Sequence, residues 1–103
     1  MRIAVAALKK KETSEIATQA GRAPFYLVFD ESGTLVETLQ NPFSRGGGGA
    51  GFGVAKMLAD KGIDTVVAGK FGKNMLEAFK ERGLSSHERE GPVLDAVRSI
   101  LGK

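Results

Sequence analysis

Glycines and cations are the residues best placed to do chemistry in this chain. Ser44 to Gly53 reads SRGGGGAGFG, in which four consecutive glycines open a run that then takes on helical character. Glycine costs conformational entropy on folding and gives a core no side chain. Such a run is therefore either slack or serves a close approach to the main chain. Two more glycine-bearing segments, GRAP (Gly21 to Pro24) and AGKFGK (Ala68 to Lys73), supply Arg22, Lys70 and Lys73, while Arg45 lies in the first run. Cations beside glycine loops and helix starts suit an anion, because unpaired amide hydrogens and positive charge converge on it. The plain alternative is that the cations are solvated and the glycines only make turns.

Rival chemistries fail on particular residues. Gly46, Gly48 and Gly51 satisfy the spacing of the dinucleotide fingerprint, but that motif needs an acidic residue at the end of the next strand. Asp64 stands at the beginning of that strand, and its end is Ala68 and Gly69. A phosphate-binding loop of the Walker type needs Gly-Lys followed by Ser or Thr, whereas the run continues GFGVAK. A two-metal nuclease needs clustered carboxylates, and the first strand ends in Leu8 and lysines. The absence of cysteine excludes disulfides, zinc–cysteine sites and thiolate-held iron–sulfur clusters for the chain alone. The single His87 has no Ser and carboxylate partner at a diagnostic spacing and reads as a surface or edge-strand residue. No catalytic residue and no metal ligand is assigned, and the chain is expected not to be an enzyme.

Composition bounds the partners. With 103 residues, 42% of them hydrophobic and 26% charged, the whole of 1–103 is expected to form a single domain. A net charge of +3 is too small for the dense footprint of a nucleic-acid binder, so no nucleic acid is expected. No segment approaches the roughly 20 apolar residues of a membrane span, and MRIAVAAL is too short for a signal core. A cytoplasmic chain with no membrane partner is the expectation.

These loops must be positioned by regular elements. An apolar run at Arg2 to Ala7 reads as a buried strand, and the polar stretch Lys9 to Gln19 as a long connection. Ala23 to Asp30 and Thr34 to Gln40 form an antiparallel hairpin across Glu31–Gly33. A helix follows the glycines, with Val54, Ala55 and Leu58 at helical spacing and Gly62 as its stop. Asp64 to Gly69 is a strand covered on both faces. Lys73 to Gly83 is a helix with Met75, Leu76 and Phe79 facing inward, and Leu84 to His87 a weak edge strand. Gly91 and Pro92 introduce a last helix with Val93, Leu94, Val97, Ile100 and Leu101 on one stripe, since proline suits a first helical turn. The order β-β-β-α-β-α-(β)-α predicts an α/β domain, a mixed five-stranded sheet flanked by about three helices. With strand four parallel to strand one, the three glycine-bearing loops gather at one sheet edge, outside the carboxyl ends of the parallel strands, where α/β sheets bind ligands.

Nearly the whole chain resembles the dinitrogenase iron–molybdenum cofactor biosynthesis family. The similarity runs through MRIAVA, GRAPFYLVFD, the NP of Asn41 and Pro42, GAGFGVAKMLADKGIDTVVAGKFG and AFKERGL. The resemblance implies a ribonuclease-H-like fold without nuclease activity, and a carrier holding a metal–sulfur cluster at the loop edge. At the two positions where members commonly carry histidine, this sequence has Gln19 and Gly48. A cradle for a preassembled anionic cluster, iron–molybdenum or thiomolybdate-like, held without covalent bonds by Arg22, Lys70 and the amides of Gly48, Gly49, Gly51 and Gly72, is what survives. It could equally hold phosphate or another small anion, or nothing. Gly46 to Gly49 would be a mobile lip of such a site. The other reading is an interaction or oligomerisation module that has lost its metal, pairing with itself or with a partner protein in cofactor assembly.

Overall fold

Strand β1 (Ile3–Ala7) is buried at all five positions, as a central strand must be when helices cover both faces of a sheet. The computed structural model describes residues 1–45 and 49–103. After β1 come a 3₁₀ turn at Ala20–Arg22, β2 (Phe25–Phe29), β3 (Leu35–Gln40), α1 (Ala50–Asp60), β4 (Thr65–Ala68), α2 (Lys73–Glu81), β5 (Ser85–Glu88) and α3 (Val93–Leu101). The sheet order is β3-β2-β1-β4-β5. β1 is antiparallel to β2 and parallel to β4, β2 is antiparallel to β3, and β4 is parallel to β5. This is the expected mixed five-stranded sheet with three helices, of ribonuclease-H-like topology.

The alternation of side chains along each strand divides the core into two layers. On one face Ala4, Ala6, Tyr26, Val28, Val66 and Ala68 meet Val54, Ala55 and Leu58 of α1 and Met75, Ala78 and Phe79 of α2. On the other, Ile3, Val5, Leu27, Phe29 and Val67 meet Val93, Ala96 and Val97 of α3. Among the described residues no helix is long and apolar enough to cross a membrane.

Three expectations need correction. Leu76 does not face inward; it is 41% exposed, and Ala78 joins Met75 and Phe79 in the core. Residues 75, 78 and 79 are the i, i+3, i+4 stripe, and position 76 lies about 100° round the helix from 75. Pro92 precedes α3 as its extended N-cap instead of entering the first turn. The stretch Lys9 to Gln19 is not merely a connection. Ser14, Ile16 and Ala17 are buried, and isolated bridges join Ala7 to Ile16, Glu15 to Pro92 and Gln19 to Lys70. The polar Ser14 is buried at no cost in unmet bonds: its hydroxyl accepts from the Leu8 and Lys9 amides at 3.1 and 3.0 Å and donates to the Glu15 carbonyl at 2.9 Å.

The β2–β3 turn is fixed by one carboxylate. Asp30 Oδ1 accepts from the amides of Ser32 and Thr34 at 2.9 and 3.0 Å and from the Ser32 hydroxyl at 2.6 Å. Gly33 supplies the left-handed φ of 86° that closes the turn. The Ser32 hydroxyl first, then the Thr34 amide, hold the Asp30 carboxyl below its ordinary value of 3.8. A depressed carboxyl stabilises the fold above its unfolded value, and that contribution disappears as pH falls through the lower folded value. In urea melts from neutral pH down to below 3.8, Asp30→Ala should therefore be less stable than the parent at neutral pH and approach it in acid. A constant difference across the series would show that the turn does not depend on the charge.

Candidate functional site

The strand directions carry the loops after β1, β3 and β4 and the entry to β2 to one edge of the sheet. There a groove of about 470 Å³ opens between the 3₁₀ turn and the start of α2, and its lining includes Arg22, Gly51, Lys70, Gly72 and Lys73. One wall is Gln19 to Arg22 and the other Lys70 to Met75.

Backbone pairing ties the walls together at their base. The Gly69 amide donates to the Ala17 carbonyl at 3.0 Å, the Lys70 amide to the Thr18 carbonyl at 2.6 Å, and the Ala20 amide to the Lys70 carbonyl at 3.0 Å. This explains a glycine in the middle of AGKFGK. A Cβ at Gly69 would stand 2.7 Å from the Thr18 carbonyl oxygen and 2.8 Å from its Cα, a clash with main chain that no side-chain movement can relieve. Gly51 serves packing too. A Cβ there would lie 3.0 Å from the N, Cα and Cβ of Met75, so glycine lets α1 lie against the first turn of α2. At Gly72 a Cβ would meet nothing within 4 Å. Gly72 is the N-cap of α2 and has no side-chain cap, which leaves the helix start open toward the groove.

Of the residues expected at the site, Arg22, Gly51, Lys70 and Gly72 line this one groove, together with Lys73. Gly49 does not line it. It is the N-cap of α1, with a left-handed φ of 88° that the chain needs to enter the helix. Arg45 lines a separate depression beside Pro24, Phe25 and Asn41. Gly48 and the lip expected at Gly46 to Gly49, except for Gly49, lie outside the described residues. The sequence reading did not place Ala20, Asn74 and Met75 at the site; Gln19 entered it as a family histidine position, and Gly21 and Phe71 as members of the GRAP and AGKFGK loops. Asn74 follows Lys73 in sequence, and Met75 reads there only as a core residue of α2. Phe71 is anchored edge-on against Phe79 of the core, with centroids 5.6 Å apart.

Among the described residues the lining carries three cationic side chains and no Asp, Glu, His or Cys. Among the described residues no group of three or more His, Cys, Asp or Glu could hold a metal ion. Thiolate, imidazole and carboxylate are the donors that transition metals and their clusters take. The groove therefore does not fit a coordinated cluster. What its described lining offers is positive charge, backbone amides and the carboxamides of Gln19 and Asn74.

The family model described as dinitrogenase iron-molybdenum cofactor matches residues 1–102. Among solved structures, the chain is similar to the apo form of the orange protein from Desulfovibrio gigas. That match has a TM-score of 0.91 and 26% identity, and covers 98% of this chain and 87% of the other. It is similar in fold to a candidate NifB protein from Thermotoga, with a TM-score of 0.81 and 24% identity over 98% of this chain and 86% of that one. A candidate dinitrogenase from Methanocaldococcus jannaschii has the same fold at a TM-score of 0.69 and 10% identity, over 99% and 88% of the two chains. No curated protein matches the chain.

The glycine contacts predict a ranking. Gly69→Ala should destabilise by about 1–3 kcal/mol, the range for forced overpacking, because the Thr18 main chain must move. Gly51→Ala should cost less, and Gly72→Ala should change stability by no more than about 1 kcal/mol in either direction. Chemical denaturation of the three variants checks the order. A cost at Gly72 equal to that at Gly69 would mean that steric approach does not explain these glycines.

Proposed function

Since its residues 1–102 match the family model, the chain belongs to the dinitrogenase iron-molybdenum cofactor family, and on that footing we propose a small non-enzymatic domain that works by interaction, having lost metal binding. The family is described by a cofactor and not by a reaction, which supports the non-enzymatic reading. The observation that carries the interaction reading is the charge of the groove's lining: among the described residues that line it, Arg22, Lys70 and Lys73 are cationic and none is Asp, Glu, His or Cys. Such a surface gives a transition metal no thiolate, imidazole or carboxylate, but attracts an acidic group of a partner. The partner is a second copy or a protein of cofactor assembly.

A second reading has its own observation. Arg22, Lys70, Gly51 and Gly72 come from three separate stretches of sequence, yet share one groove of about 470 Å³. That convergence supports a cradle in which a preassembled anionic metal–sulfur cluster, carried as cargo, is held by charge and hydrogen bonding alone. The similarity to a relative described in an apo form supports the same reading.

One experiment separates the two. The protein is incubated with tetrathiomolybdate, passed over a gel-filtration column, and its molybdenum measured. The interaction reading expects no stoichiometric molybdenum in the protein peak. Stoichiometric retention that disappears in Lys70→Glu would overturn it in favour of the cradle.

A further inference from the structure

Asn41 is buried, at 2% exposure, and every bond of its amide goes to a segment that shapes the groove. Its Nδ2 donates to the carbonyls of Gly21 at 3.2 Å and Ala23 at 2.8 Å. Its Oδ1 accepts from the Phe43 amide at 3.0 Å. Both donors and the acceptor are thus used, which only an amide in this orientation can do. A second buried donor works beside it: the hydroxyl of Tyr26, which is 0% exposed, bonds the Ala20 carbonyl.

The consequence is a polarity of the turn. The carbonyls of Ala20, Gly21 and Ala23 are all held from below by buried side chains. In a trans peptide the N–H points opposite to the C=O of the same unit. No peptide bond here is cis, so tying the Ala20 carbonyl to Tyr26 turns the Gly21 amide away from the core, at a residue that lines the groove. A Cβ at Gly21 would meet only Met75 Cε at 3.6 Å and Ala50 Cβ at 3.8 Å, ordinary contacts. Packing does not demand a glycine there, and its bareness leaves the amide approachable.

Asn41 also reaches the other wall. Phe43, held by its amide, places its ring where a Cβ on Gly53 of α1 would be only 2.4 Å from Cζ. Gly51, two residues earlier on α1, rests against Met75 of α2, whose first turn is the second wall. From these contacts we infer that Asn41 is a positioning residue for the groove: with Tyr26 it turns the Gly21 amide and the Arg22 stem toward the groove, and through Phe43 it locks that wall to α1. The inference rests on the groove being the receiving surface proposed above.

The test uses Asn41→Asp and Tyr26→Phe. The aspartate keeps an acceptor for the Phe43 amide but sets a carboxylate oxygen against the Gly21 and Ala23 carbonyls. Tyr26→Phe removes one donor with little change of volume and serves where the other variant fails to fold. Amide hydrogen exchange is read by NMR, and inorganic phosphate is titrated as the anion probe. In Asn41→Asp, exchange at Ala20 and Arg22 should rise by about tenfold or more while Ile3–Ala7 stays protected, the mark of local and not global opening. Phe43 should keep its protection. Tyr26→Phe should release Ala20 and Arg22 in the same way. Phosphate-induced shifts at Gly21 and Arg22 should shrink in both variants, and those at Lys73 and Asn74 persist. Uniform loss of protection across the sheet, or an unchanged turn, overturns the inference. If the parent shows no phosphate shifts on either wall while the exchange pattern holds, the receiving role of the groove fails and the positioning by Asn41 stands.

Discussion

A close approach of two backbones at Gly69 underlies the whole upper edge. β4 leaves the sheet at Ala68, and the next residue must let the Thr18 main chain pass within contact distance. Glycine permits this, and the bonds from Gly69 to Ala17, Lys70 to Thr18 and Ala20 to Lys70 then follow. These bonds convert a polar connection into an added run of pairing beside the sheet. They also set the distance between Arg22 on one wall and Lys70 on the other. Were the two segments apart, the cations would sit on independent loops, and their charges would be screened by solvent and salt.

The second layer of the argument is the small residues under the helices. Ala4 and Ala6 of β1 and Ala68 of β4 face α1 and α2, leaving room for two helices to lie side by side on one face. Gly51 brings α1 against the main chain of Met75. The two helix starts therefore stand together at the edge, with Gly49 and Gly72 as N-caps and no side-chain cap at either. Gly72 at the start of α2 and Gly51 in the first turn of α1 both line the groove, whereas Gly49 turns the chain into α1 and does not. The glycines of the conspicuous run thus have separate tasks where they are described: entry to a helix at Gly49, packing on α2 at Gly51, and seating the Phe43 ring at Gly53.

Strand directions were legible in the sequence, and they were enough to bring Arg22, Lys70, Gly51 and Gly72 to one place. A hairpin signal at Glu31–Gly33 and two helical crossovers leave little freedom in the topology. What escaped was structure without periodicity. The stretch Lys9 to Gln19 looks polar because its order comes from backbone bridges and from one serine that bonds three main-chain groups. No pattern of apolar residues announces such a segment. Asn41 was visible as part of an NP pair, but its three bonds join residues about 20 apart in sequence as well as near ones, a relation that spacing cannot express. Leu76 misled for a simpler reason: it lies one step round the helix from the buried Met75.

These layers explain how the groove is formed by packing and hydrogen bonding alone. The groove is shaped by residues behind its surface: Tyr26 and Asn41 under the turn, Gly69 at the base, Gly51 between the helices. None of these needs a metal to be satisfied, and no buried side-chain nitrogen or oxygen among the described residues lacks a partner. Gln19 is exposed at the rim. Exchanging an exposed rim side chain costs little stability, since surface changes away from caps and buried networks lie usually within about 0.5 kcal/mol. The support of the site and its chemistry are therefore separable. The rim side chains can change while the packing that forms the groove stays under the constraint of folding.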